Sequence, residues 1–421
     1  MKRIIVAHPQ KQHSYHLAIA LDRKKVLYKY ITTVYNKEGS KTSVVKTILE
    51  KLNKNYGNKL SKKKEKNLID SKIKQFCEIR GLIFLFLMHV PILKKIYRKY
   101  GEYLNNSFGL KVAKYAIKNK VDAVIMYDTT AYSCFNYLRE NAPNIIRILD
   151  MSSNNSNGRL KLYKEEIKKN NDTELFKENK HLWDLKFQER NRKELELTDY
   201  CLVASSFSYK SVLNCGIKKI FIVPYGVALD KFKFLEKNNL EKKLTFVYTG
   251  NITYGKGVNY LLKAIKYFSE SEVELYLMGG IDKNSILLKE YNKFSNIHFK
   301  GFVSQEELIK IYQKADVFIF PSLGEGLSLA GMEAMACGLP LLCSENSGVN
   351  DFIEDYKNGI VFKTGSVESI TKAINWLLEN RNEIKEMSRK AREEILKYSW
   401  ETYYTNVNCV IEKILSKEEI Q

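Results

Sequence analysis

The sequence predicts an α/β protein built from doubly wound parallel sheets and divided into two domains. Two observations predict the sheets and one the division. Short apolar runs recur along the chain with helical patterns between them, the β-α-β alternation of a parallel sheet. Many of these runs are apolar throughout, as strands covered on both faces require. The chain has 421 residues, more than one domain of ~100–200 residues, and residues 220–227 combine a strand with Pro and Gly where a hinge would fall.

Residues 4–7 read as a buried first strand, followed by a loop and a helix from about Ser14. Residues 46–74 are basic and poor in apolar residues, which fits a solvated helix or loop. Residues 81–88 are apolar and lead, through Val90, Pro91, Ile92 and Leu93, into the basic, aromatic stretch 94–100. Rings at headgroup level beside cations suit an anionic membrane interface; a buried helix with a charged flank has the same pattern. Residues 121–126 and 145–149 read as further parallel strands, and 199–206 as a strand ending in small polar residues. In the C-terminal half, 244–249, 273–278, 297–299, 316–320 and 340–343 read as short buried strands, and 400–415 as a long helix.

Composition narrows the function. Hydrophobic residues make up 44% of the chain, enough for real cores. The formal charge is +21, from 69 Lys and Arg against 48 Asp and Glu. Such an excess attracts polyanions, but Lys-rich composition throughout the chain accounts for it equally. No RRM, KH or zinc-finger signature accompanies it, so no nucleic-acid partner is expected. The seven cysteines include no CxxC pair and read as reduced core residues of a cytosolic protein. Without Cys/His zinc spacing, a HExxH helix or an Asp-x-Asp triplet at a strand end, neither a metal nor another cofactor is expected. No run approaches the ~20 apolar residues of a membrane span, and the apolar start, interrupted at His8-Pro9, fits a strand better than a secretory signal.

The most informative stretch is residues 320–340, FPSLGEGLSLAGMEAMACGLP. A strand ends at Pro321, a loop of small residues follows, and a helix runs from about Ser328 to Cys337 with Gly338 as its stop. Ligands of open α/β sheets bind outside the carboxyl ends of strands. The free N–H groups and dipole of a helix start favour an anion such as a pyrophosphate. Glu325 lies in the loop and Glu333 on the helix, and both carboxylates can accept hydrogen bonds from sugar hydroxyls. Without such a ligand, Glu325 would cap the helix and Glu333 would be surface charge.

Two glutamates eight positions apart in this frame, the second followed by Ala-Met-Ala-Cys-Gly-Leu-Pro, resemble the signature of family-4 retaining glycosyltransferases (glycosyl transferases group 1), whose fold is GT-B. The resemblance implies two Rossmann-like domains facing a cleft. Residues 1–223 would form the acceptor-side domain, residues 224–399 the nucleotide-sugar domain, and a final helix, 400–417, would cross back to the first. It also implies that Glu333 binds the donor ribose and Glu325 lies against the donor sugar. Backbone N–H groups of Gly326, Leu327, Ser328 and Leu329 would hold sugar and phosphate oxygens.

A second stretch, residues 250–257 (GNITYGKG), follows a strand, opens a helix, and is similar to the glycine-arginine, then lysine-glycine, of that family. Gly250 and Asn251 begin it, and Lys256 matches the lysine that meets the donor diphosphate, where a cation stabilises the leaving group. Asn251 stands where the family usually has arginine, so one expected positive charge is missing. Gly279, after a strand, and Phe302 and Val303, in a loop resembling the base-reading loop, complete the donor side. Residues 223–227 with Phe232 resemble the interdomain crossing, and 398–401 the start of the last helix.

On the acceptor side the match is thinner. Residues 8–13 resemble the loop that faces the cleft, which makes His8, Gln12 and His13 candidates; turn chemistry and a cap at Ser14 account for the same residues. Many relatives carry a histidine after the fourth N-domain strand; here Asp128 is the candidate in its place. Glu189 and Arg190 are read as the start of a helix bordering the cleft.

The implied activity is that of a hexosyltransferase, with Lys256 and Glu325 as its catalytic pair. A UDP- or GDP-sugar would be the donor, as a co-substrate rather than a cofactor. A glycan or lipid-linked acceptor in bacterial surface-polysaccharide assembly would receive the sugar, in the cytoplasm or, as a peripheral membrane protein, at the inner face of the membrane. Two other readings fit these residues: a GT-B nucleotide-sugar epimerase, and a catalytically weak paralogue that only binds a nucleotide sugar.

Overall fold

The computed structural model describes residues 2–10, 13–52, 60–61, 63–90, 93–217, 219–236 and 243–416. Seven parallel strands form the first sheet: β1 (Ile4–Ala7), β2 (Leu27–Thr32), β3 (Ile73–Gln75), β4 (Ala123–Tyr127), β5 (Ile146–Met151), β6 (Tyr200–Val203) and β7 (Ile220–Ile222), in the order β3-β2-β1-β4-β5-β6-β7. Six more form the second: β8 (Leu244–Thr249), β9 (Val273–Met278), β10 (Ile297–Gly301), β11 (Val317–Phe320), β12 (Leu341–Ser344) and β13 (Gly359–Phe362), in the order β10-β9-β8-β11-β12-β13. Every residue of β1, β4, β11 and β12 is buried, because helices cover both faces; that is why these strands are apolar without alternation.

Each sheet reverses its strand order once, between β1 and β4 and between β8 and β11. At such a point the loops leaving the carboxyl edge diverge to opposite faces and open a crevice. The segment 46–74, expected to be a solvated helix or loop, holds part of the helix Lys41–Leu52, a 3-10 turn at Asp70–Lys72 and the start of β3. β3 pairs only with β2 and carries one buried residue, Ile73. A short edge strand needs little apolar surface, so its signal was weak.

After β7 the chain passes between domains. Val227 N–H donates to the Tyr398 carbonyl at 2.9 Å, and a Cβ on Gly226 would lie 2.5 Å from the Trp400 backbone. The crossing segments therefore touch backbone to backbone, which only a residue without a side chain permits. The helix Trp400–Ser416 then lies on the helix Ser14–Arg23. His16 stacks on Trp400 with ring centroids 3.3 Å apart, its Nδ1 meets the Tyr404 hydroxyl at 2.8 Å, and Arg23 pairs with Glu401.

The apolar run 81–88 lies on the helix Glu78–His89. One side is core: Phe84 is buried, and Gly81 packs on Thr33. The other side leaves Ile79, Ile83, Phe86 and Met88 exposed, Phe86 by 65%. Ile96, Tyr103 and Leu110 are exposed on the following helix, Lys94–Lys118.

Candidate functional site

A cleft of about 490 Å³ opens at the carboxyl ends of β8 and β11. Its walls include Gly250, Asn251, Lys256, Gly279, Phe302, Val303, Glu325, Leu327, Ser328 and Leu329. An adjoining cleft of about 240 Å³ shares Lys256 and Glu325 and is lined by Gly326 on one side and by Ser153, Arg159, Tyr163 and Glu178 on the other. Twelve-residue candidacy on the donor side thus resolves into these two clefts and Glu333, which lies on the helix Leu329–Ala336.

The local sequence explains the walls. The loop after β8 ends in Gly257, at φ +66°, where a Cβ would lie 1.9 Å from the Pro321 carbonyl oxygen. Only glycine allows this turn, which brings the β8 loop, and Lys256 with it, against the β11 loop. The helix Leu329–Ala336 is capped by Ser328, whose side chain accepts from Gly331 N–H at 3.1 Å. Glu325 is therefore not the cap. Among the described residues the N–H groups of Gly326, Leu327 and Ser328 donate to no backbone or side-chain acceptor, which leaves donors at the start of a helix facing the cleft. The Gly326 carbonyl is held from the first domain by Ser205 Oγ at 2.5 Å.

Lys256 Nζ and a Glu325 carboxylate oxygen form an ion pair. Burial and then the nearby Arg159 charge push the Lys256 ammonium down to about 8. Glu333 is half-buried rather than surface charge, and burial pushes its carboxyl up to about 7. Its carboxylate has no hydrogen-bond or ion-pair partner among the described residues.

The acceptor-side candidates gather at the reversal point of the first sheet. His8 is buried, its Nδ1 takes the Gln10 N–H at 2.9 Å, and its ring meets Tyr127 edge-on; burial pushes it down to about 4. His13 Nε2 lies 3.0 Å from the Tyr225 hydroxyl and 3.7 Å from Asp150 Oδ1. Neither histidine lines either donor-side cleft. Gln12 lies outside the described residues. Asp128 accepts from Ser152 Oγ at 2.7 Å and Ser153 Oγ at 3.2 Å, so it orients the loop behind the smaller cleft. Glu189 and Arg190 do not begin their helix, which starts at Leu185 under a cap from Asp184.

The sequence reading missed Arg159 and Glu178. Both sit on N-domain helices, Ser156–Asn170 and Thr173–Asn179, where a charged residue looks like any solvated one. Glu178 accepts from the N–H groups of Tyr254 at 2.9 Å and Gly255 at 3.4 Å, holding the β8 loop across the domain boundary. Burial pushes its carboxyl up to about 7.

Residues 230–394 match the family model of glycosyl transferases group 1. That segment is a group 1 glycosyltransferase domain. The chain is 31% identical to an uncharacterized glycosyltransferase of Methanocaldococcus jannaschii over 166 residues, 38% of this chain and 42% of that protein. It is 27% identical to the N,N'-diacetylbacillosaminyl-diphospho-undecaprenol alpha-1,3-N-acetylgalactosaminyltransferase of Campylobacter jejuni, over 45% of this chain and 49% of that one. The chain thus spans about half the length of these curated relatives. Its whole fold superposes on sucrose-phosphate synthase from Thermosynechococcus elongatus with a TM-score of 0.71 at 16% identity, covering 99% and 100% of the two chains. Anabaena HepE, solved with UDP-glucose, superposes with a TM-score of 0.61 at 12% identity, covering 98% and 100%. At such identities the likeness establishes the fold, which is GT-B.

Proposed function

We propose that this group 1 glycosyltransferase domain belongs to a retaining hexosyltransferase that takes a UDP- or GDP-sugar as donor. The observation that carries the reading is the Lys256–Glu325 pair at the β8/β11 crevice. The donor diphosphate displaces Glu325 from Lys256, and the freed carboxylate accepts from hydroxyls of the donor sugar. Ribose hydroxyls donate to Glu333. Lys256 and the N–H groups before Leu329 stabilise the leaving diphosphate electrostatically. The acceptor hydroxyl attacks the anomeric carbon on the face the diphosphate leaves. A new C–O bond forms as the bond to the diphosphate oxygen breaks, and the hydroxyl proton passes to a diphosphate oxygen. Closure of the domains limits attack by water. In this reading the diphosphate charge is met by the protein rather than by a metal ion.

The acceptor we propose is a growing glycan, lipid-linked, in bacterial surface-polysaccharide assembly. The relatives support it: the Campylobacter jejuni enzyme above, and glycosyltransferases of amylovoran biosynthesis in Erwinia amylovora and of O-antigen biosynthesis in Escherichia coli. Among the described residues no helix is long and apolar enough to cross a membrane. We place the protein at the inner membrane face through the exposed apolar side of the helices Glu78–His89 and Lys94–Lys118, where Arg98 and Lys99 are also exposed.

Thermal stabilisation by UDP-, GDP-, ADP- and CMP-sugars tests the donor site, because a ligand of the native state raises its apparent stability. One donor that stabilises the protein, but not Glu333→Ala, is the expected result. No shift with any donor, in a folded protein, would overturn it. Asn251 favours a second reading, a paralogue that binds donor without transferring it. Stabilisation by a donor, with neither transfer nor donor hydrolysis, would select that reading.

A further inference from the structure

We propose that Arg159 is a second cation of the donor diphosphate site, supplied by the opposite domain in place of the one that Asn251 lacks. The inference rests on the donor-site reading above and adds a residue to it.

The β8 wall of the large cleft carries a neutral Asn251, and Lys256 on the same loop is already engaged with Glu325. A dianionic diphosphate entering there would meet a single cation from that loop. Arg159 faces the adjoining smaller cleft from across the domain boundary. It lines the smaller cleft together with Lys256, Glu325 and Gly326, and its charge is felt at Lys256.

The position of Arg159 is built. It lies in the first turn of the helix Ser156–Asn170, which follows β5. Asn155 caps that helix, its side chain accepting from Asn157 N–H at 2.7 Å and Gly158 N–H at 3.3 Å. A cation in the first turn opposes the helix dipole; of the carboxylates that line the same cleft, Glu325 is paired with Lys256 and Glu178 accepts from the β8 loop. The Arg159 Nε is buried and has no hydrogen-bond partner. Among the described residues the guanidinium makes no ion pair. The rest of the guanidinium fork lines the cleft with Lys256, an arrangement suited to a phosphate oxygen bridging the two. A dianion there would relieve the like-charge repulsion.

Domain contacts hold this geometry. Glu178 grips the β8 loop, and Ser205 holds the Gly326 carbonyl.

Titration calorimetry of the full chain with UDP, GDP and ADP tests this, with the matching nucleoside as the control that lacks phosphate. If none of the diphosphates binds the unaltered protein, the donor-site reading falls and this one with it. If one binds, Arg159→Gln is expected to weaken it by about tenfold or more, the range of a charge-assisted bond, while nucleoside affinity stays unchanged. Asn251→Arg in the Arg159→Gln background is expected to recover most of the loss. Unchanged diphosphate affinity in Arg159→Gln, an equal loss for the nucleoside, or no recovery in the double variant would overturn the inference and leave the donor site standing.

Discussion

Lys256 and Glu325 reach the crevice on two different loops, after β8 and after β11, and pair with each other there. The pair keeps each charge compensated; in the proposed reading a diphosphate then takes the lysine. Lys256→Ala should lower turnover of the donor identified by thermal stabilisation about 100- to 1000-fold, the usual range for removing one group that stabilises the transition state. Steady-state assay of that donor checks it, and near-normal turnover would remove Lys256 from the chemistry.

Donor affinity should peak between about pH 7 and 8. In the proposed reading ribose hydroxyls donate to the ionised Glu333 carboxylate, so affinity should fall as pH drops through about 7, where burial has placed that group. The diphosphate favours the charged Lys256 ammonium, so affinity also falls as pH rises through about 8. Each limb follows from linkage: the bound state prefers one protonation form. Titrating a nucleotide sugar across this range measures both limbs. Glu333→Gln should flatten the acid limb alone, and a flat profile in the unaltered protein would contradict the assignment.

Gly257→Ala should cost about 2 kcal/mol or more of stability, from the left-handed backbone and the clash with Pro321 together. Gly39→Ala is the control. Gly39 has φ +73° but nothing within 4 Å of a built Cβ, so only the conformational cost of about 1 kcal/mol applies. Denaturant unfolding of the two variants should separate them in that order.

The exposed face of the helix Glu78–His89 should bind anionic vesicles. Phe86 is 65% exposed, so Phe86→Ser should change stability by less than about 0.5 kcal/mol while reducing vesicle binding. Arg98→Glu with Lys99→Glu should remove the part that salt screens. Co-sedimentation with neutral and anionic vesicles reads both effects, and equal binding to the two would discount the cations.

The sequence by itself determined the features written within a few neighbouring residues. The continuous apolar runs specify strands buried on both faces, as in β4 and β11. Ser328 and Gly338 bracket the helix between them, because a cap and a left-handed stop act locally. The two loops that line the larger cleft were legible for the same reason. Tertiary structure alone decided what those residues face. It paired Lys256 with Glu325, left Glu333 half-buried with no partner among the described residues, and turned His8 and His13 toward Tyr127 and Tyr225. It made strands of β2 and β3, which the sequence reading did not single out. It also brought Arg159 and Glu178 to loops about 75 to 100 residues away in the chain. Charge, burial and hydrogen-bond satisfaction depend on which surfaces meet when helices pack on the sheets and the domains come together, and no local pattern along the chain records that.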